Sequence, residues 1–284
     1  MASGSQVVSG SQVVSGVAPA TAPADALTAD AQLALVGGRQ VEVSVTRVPQ
    51  ARATVVFENG LMLPLTTWQA VRSTLGDCCH TLAYNRAGVG RSAETSEPAS
   101  PGQVAQDLQR LLQDQQLPPP YILVGHSLGG QYAQTFASLY PDQVQGLVLV
   151  DALPVGVVKR GADFPWFTRL ALWLFAPDFA RREIMGIHPM GEALMAGPRF
   201  DGQRVIRLVA HSQASPKAEG LIKDLWKGVI LAEDFGVWAV DPDEAEARMD
   251  QLYPQSIVRP VQAHHRVQEM APQWVVDAVR QLAP

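Results

Sequence analysis

Gly125-His126-Ser127-Leu128-Gly129 sets a serine between two glycines, each two positions away. The apolar run Tyr121 to Val124 leads into it, and Tyr132, Phe136 and Tyr140 follow at helical spacing until Pro141. A strand, a sharp turn and a helix in that order lift a hydroxyl out of a sheet. The glycines are needed because side chains there would collide with the turn. The new helix aims unpaired N–H groups and the positive end of its dipole at the same point. A hydroxyl so placed becomes a nucleophile once an imidazole takes its proton, and a carboxylate must hold that imidazole in the right tautomer. Six histidines are available: His80, His126, His188, His211, His264 and His265. His126 lies inside the motif, where its side chain is expected to point away from a substrate and only to pack.

The elements that must position these groups are legible as a repeat. Leu33 to Val48 alternates around Gly37-Gly38 as a β-hairpin does. Ala53 to Phe57, Thr81 to Tyr84, Tyr121 to Val124 and Gly146 to Val150 read as short apolar strands. Residues 66–75 suit a helix, and Val104, Leu108, Leu111 and Leu112 share one helical face. From about residue 155 to 225 the alternation stops, and Trp166, Phe167, Leu170, Trp173, Phe175 and Phe179 recur mostly at helical spacing with no clear strand. A strand at Gly228 to Ala232, a helix from Pro242, a strand at Ser256 to Gln262 and a last helix faced by Val275, Val279 and Leu282 complete the chain. Strands alternating with helices predict a mostly parallel sheet covered on both faces. The boundaries expected are a disordered leader at 1–30, core at 31–154, a helical cap at 155–225 and core again at 226–284. The leader repeats SGSQVV and then turns rich in Ala and Pro, with no apolar periodicity to fold on.

From Glu58 to Pro154, and again from Val261 onward, the sequence resembles the α/β-hydrolase superfamily. The likeness rests on Tyr84-Asn85-Arg86-Ala87-Gly88-Val89-Gly90-Arg91-Ser92 and on Pro119-Pro120-Tyr121-Ile122-Leu123-Val124-Gly125-His126-Ser127-Leu128-Gly129-Gly130. It implies an α/β-hydrolase fold, with a mostly parallel eight-stranded sheet, helices on both faces and a helical cap insertion. Gly88-x-Gly90 is not a dinucleotide loop, because no third glycine opens a helix.

The resemblance also implies roles. Two backbone N–H groups would stabilise an oxyanion: that of Leu128, just after the nucleophile, and that of Leu61, in Asn59-Gly60-Leu61 where relatives read His-Gly-x. The base would be His265, seven residues before Pro272; His264 is one residue too early. Three aspartates compete for the acid. Asp151 ends the sixth strand, expected two strands' width from the nucleophile, in a stretch close to the family pattern. Asp234 follows the seventh strand, a more common place, but lacks the usual Gly-x-Asp setting. Asp241 opens Asp241-Pro242-Asp243-Glu244, which a helix start explains without catalysis. Asp151 is preferred. The expected activity is hydrolysis of a carboxylic ester or related acyl compound through an acyl-enzyme, with no metal or organic cofactor. Amide, thioester or C–C cleavage and acyl transfer use the same groups. The rival of another class is a non-catalytic binding or signalling protein on this fold.

Composition narrows the partners. Of 284 residues 47% are hydrophobic and 17% charged, with a formal net charge of −5, so a nucleic-acid partner is not expected. No apolar run reaches membrane-spanning length, and the N-terminus has no secretory pattern, which predicts a cytoplasmic protein. Adjacent Cys78 and Cys79 make no disulfide framework. The aromatic cap should wall a pocket for a hydrophobic small-molecule acyl substrate. Membrane contact through Trp166, Phe167 and Trp173 is disfavoured by the few basic residues there.

Overall fold

A computed structural model describes residues 31–95, 100–156, 158–211 and 242–284. The strands are β1 Gln32–Val36, β2 Arg39–Thr46, β3 Thr54–Glu58, β4 His80–Tyr84, β5 Tyr121–His126, β6 Val144–Val150, β7 Val205–Ala210 and β8 Ile257–Val261. The helices are α1 Gln69–Leu75, α2 Pro101–Asp114, α3 Leu128–Leu139, α4 Trp166–Phe175, α5 Asp178–Ala196, α6 Pro242–Leu252, α7 Val267–Met270 and α8 Pro272–Leu282.

Every residue of β3 is buried, and successive side chains feed opposite layers. Val55 and Phe57 pack with Trp68, Val71, Val275 and Val279 on one face of the sheet. Val56 packs with Leu108, Leu111, Leu123 and Phe136 on the other. Strands buried on both faces are what a parallel sheet between helical layers requires. The described strands form one eight-stranded sheet in the order β1-β2-β4-β3-β5-β6-β7-β8. β1 and β2 are the expected hairpin; β2 meets β4 antiparallel, and the pairings from β3 to β8 are parallel. β5, which leads into the serine, lies near the middle, and β7 and β8 form the far edge.

The region expected to be a helical cap, 155–225, departs from that reading. It holds helices α4 and α5, but β7 follows within it and completes the sheet. Arg207 hid this strand. It interrupts the apolar run Val205 to Ala210, yet it is only 3% exposed. Its guanidinium pairs with Glu246 and Asp250 of α6, the latter at 2.6 Å. A buried charge is tolerated when opposite charges meet it. The strand expected at 228–232 and the leader at 1–30 lie outside the described residues.

The aromatic content of α4 is also placed differently. Only Thr168 and Leu172 of that helix are buried, and Trp166 and Trp173 are 75% and 66% exposed. The helix is apolar on most sides but turns only one stripe inward, and Trp166, Leu170, Leu172 and Trp173 line a cavity whose described walls do not include Ser127. Among the described residues no helix is long and apolar enough to cross a membrane.

Candidate active site

Ser127 stands between β5 and α3 with φ 52° and ψ −122°. This is a conformation that a side chain strains to adopt, and such strain persists only where packing over-determines it. The packing is visible at the flanking glycines. A Cβ on Gly125 would lie 2.5 Å from the Gly129 carbonyl oxygen, and one on Gly129 would lie 2.5 Å from that of Asn59. The serine backbone is tied as well: its N–H donates to the Val150 carbonyl at 3.2 Å, and its carbonyl accepts from Leu153 at 3.0 Å.

Those last bonds lace the turn to the loop that begins at Asp151. β6 pairs directly with β5, so Asp151 is one strand from the serine rather than two. Asp151 has φ 41°, and both its oxygens are engaged. Oδ2 lies 2.7 Å from Nδ1 of His265, and Oδ1 accepts from the Ala210 N–H at 2.9 Å, at the end of β7. A carboxylate facing Nδ1 fixes the proton on that nitrogen and leaves Nε2 with its lone pair. The sequence-chosen acid and base are therefore brought together. Asp234 and Asp241 lie outside the described residues.

The strip Asn59-Gly60-Leu61 leaves β3 and lies on the start of α3, as the Gly129 contact with the Asn59 carbonyl requires. Among the described residues neither the Leu61 nor the Leu128 amide is spent on a turn or loop backbone hydrogen bond. Nor does any group of three or more His, Cys, Asp or Glu among them stand ready to hold a metal ion.

Residues 55–278 match the model of the alpha/beta hydrolase family. The chain belongs to that family. It is 33% identical over 195 residues to the putative carbamate hydrolase RutD of Yersinia enterocolitica, covering 68% of this chain and 67% of that one. It is 31% identical over 98 residues to the uncharacterized protein YqjL of Bacillus subtilis, covering 34% of this chain and only 39% of that one, well under two thirds of the relative's length. Among solved structures, the enol-lactonase of Burkholderia xenovorans LB400 superposes with a TM-score of 0.60 at 14% identity, over 88% of this chain and 99% of that one. At that identity the likeness is one of fold.

Two features of this α/β hydrolase escaped the sequence reading. The first is His126, expected only to pack. Its Nε2 lies 2.8 Å from the His265 carbonyl oxygen, and the two rings are 4.6 Å apart. A carbonyl can only accept, so Nε2 donates. The other ring nitrogen faces Gly60, where a Cβ would come within 2.7 Å of it. Burial first, and then the neighbouring His265, push the His126 pKa down to about 3. The ring is thus neutral, and it spans the loop after β3 and the loop carrying His265. Its place inside the motif was the available signal.

The second is a buried ionic cluster behind the strip after β3. Arg86 donates to the carbonyls of Asn59 at 2.7 Å and Gly60 at 3.1 Å. It also pairs with Glu183 of α5 at 2.5 Å and with Glu58 at 3.5 Å. Asn59 donates to the Tyr84 carbonyl at 2.7 Å and accepts from the Trp68 indole at 2.8 Å. Asn59 therefore holds this strip by its side chain. Burial pushes the Glu58 carboxyl up to about 7, against the opposing pull of Arg86. Arg86 belongs to the family-like stretch after β4, but nothing in the sequence pairs it with Glu183, 97 positions away.

Proposed function

We propose that this chain is a serine hydrolase that cleaves a carboxylic ester or related acyl substrate through a covalent acyl-enzyme. The observation that carries the reading is the 2.7 Å contact of His265 Nδ1 with Asp151, in a loop bonded to the backbone of Ser127. In this scheme the Ser127 Oγ attacks the substrate carbonyl while His265 Nε2 takes its proton. The carbonyl oxygen becomes an oxyanion held by the Leu61 and Leu128 N–H groups, each donor contributing about 3 kcal/mol. Collapse expels the alcohol, which leaves with the proton from His265. Water then attacks the acyl-serine, His265 takes a proton from it, and the acid departs as the serine recovers its hydrogen. Asp151 keeps accepting the Nδ1–H throughout and stabilises the imidazolium. His126 positions His265 by holding its carbonyl. The names of the relatives, a carbamate hydrolase and an enol-lactonase, fit chemistry at an acyl carbon.

The test is labelling by a fluorophosphonate probe together with turnover of p-nitrophenyl esters of graded chain length. Labelling should fall on Ser127, vanish in Ser127→Ala, and accompany ester turnover. Folded wild-type protein that neither labels nor turns over any ester would instead mark a non-catalytic member of the family.

A further inference from the structure

A cavity of about 270 Å³ lies between the β1–β2 hairpin, α2 and α5, away from Ser127. Ser127, Asp151 and His265 are not among the residues that line it. Its walls carry four guanidinium groups, Arg39, Arg86, Arg110 and Arg182, against two carboxylates, Asp107 and Glu183. Both carboxylates are already engaged. Asp107 pairs with Arg39 and stands 3.7 Å from Arg110, while Glu183 pairs with Arg86. Arg182 makes no ion pair among the described residues, and one terminal nitrogen of its guanidinium is buried without a hydrogen-bond partner. Arg182 is only partly buried, but a guanidinium N–H shut off from solvent with no acceptor costs folding free energy. An acceptor of opposite charge inside the cavity removes that cost.

The rest of the lining states what else the ligand carries. Val36, Val41, Val104, Leu111 and Phe179 are apolar. A bare inorganic anion would leave these walls facing water, whereas an apolar body joined to a carboxylate satisfies both. The volume lies just below the usual range for drug-sized ligands, which limits the occupant to a small molecule. A guanidinium fork also matches a carboxylate in shape. We propose that this cavity is a binding site for a small amphiphilic carboxylate, held by Arg182 and Arg110, with its apolar part against Val104 and Phe179.

The site touches the reaction centre through one residue. Arg86, in its wall, holds the carbonyls of Asn59 and Gly60, just before Leu61. A carboxylate in the cavity competes with Glu183 for the same guanidinium field and so acts on the strip that presents the Leu61 amide. This coupling rests on the proposed function; binding itself does not.

Calorimetric titration with hexanoate tests binding, with n-hexanol and inorganic phosphate as comparisons. Wild-type protein should take up one hexanoate in this cavity and bind n-hexanol and phosphate at least tenfold more weakly. Arg182→Gln and Val104→Trp, which fills the cavity, should each weaken hexanoate at least tenfold while melting as cooperatively as wild type. A crystal grown with hexanoate should show it beside Arg182. Absent binding, or binding unchanged in both folded variants, overturns the proposal. Phosphate binding as tightly as hexanoate overturns the amphiphile class. Failure of the hydrolase reading shows separately, as absent labelling of Ser127.

Discussion

A carboxylate orients an imidazole best when both of its oxygens are fixed: Asp151 Oδ2 faces His265 Nδ1, and the Ala210 N–H holds Oδ1. Asp151→Asn keeps the shape but offers an amide, which can turn its N–H toward Nδ1 and force the wrong tautomer. Turnover of p-nitrophenyl esters should fall by about ten-thousand-fold, with little change in melting temperature. A near-normal rate in that variant would move the acid elsewhere in the chain. His126 calls for a different readout. Its Nε2 holds the His265 carbonyl, so His126→Phe should lower kcat by about ten- to a hundredfold, with KM nearly unchanged, because it loosens the base without touching the substrate. A change confined to KM would deny it that positioning role. The turn at Ser127 was legible in its motif, and the proposed acid and base in family-like stretches near Asp151 and His265. The ring contact between His126 and His265 was not, since it joins positions 139 apart and depends on how two loops meet.

At the scale of elements, the strand-to-helix turn works because two backbones approach with nothing between them. Gly129→Ala puts a methyl group against the carbonyl of Asn59. The substitution should destabilise the fold by about 2–3 kcal/mol in chemical denaturation, in spite of alanine's better helix propensity. A neutral or stabilising result would mean that the strip after β3 yields easily. β7 is the opposite case, where pattern misled. A strand is recognised from an apolar run, and Arg207 broke the run because its partners, Glu246 and Asp250, lie some forty positions downstream. Those carboxylates are partly exposed, so losing the arginine strands no buried charge. Arg207→Met should therefore shift stability by less than about 1.5 kcal/mol. A larger loss would show that the pairing itself carries the docking of α6. The parallel core strands, by contrast, were plain in sequence, because burial on both faces leaves nearly unbroken apolar segments such as Thr54–Glu58.

Across the whole molecule, two buried groups tilt stability in opposite directions with pH. The folded pKa of Glu58, about 7, lies above its usual 4.5, so the folded state keeps a proton that the unfolded chain releases. That group's contribution is full below pH 4.5 and is lost as pH rises toward 7. Glu58→Gln should flatten this part of the stability curve, a change on the order of 1–3 kcal/mol. His126 does the reverse. Its folded pKa of about 3 lies below the usual 6.5, so its contribution is full above pH 6.5 and is lost as pH falls toward 3. Denaturation midpoints measured across pH 3–8 on both variants check the two signs. The groups of the proposed triad also come from regions of unequal depth. The serine rises from a central strand, whereas the imidazole follows β8 and its carboxylate leans on the end of β7. Fraying of that flank alone would separate the proposed base from Ser127 and leave the serine's turn intact. Heated slowly, the protein should then fall silent some degrees before its circular dichroism collapses, and cooling from that window should bring the activity back.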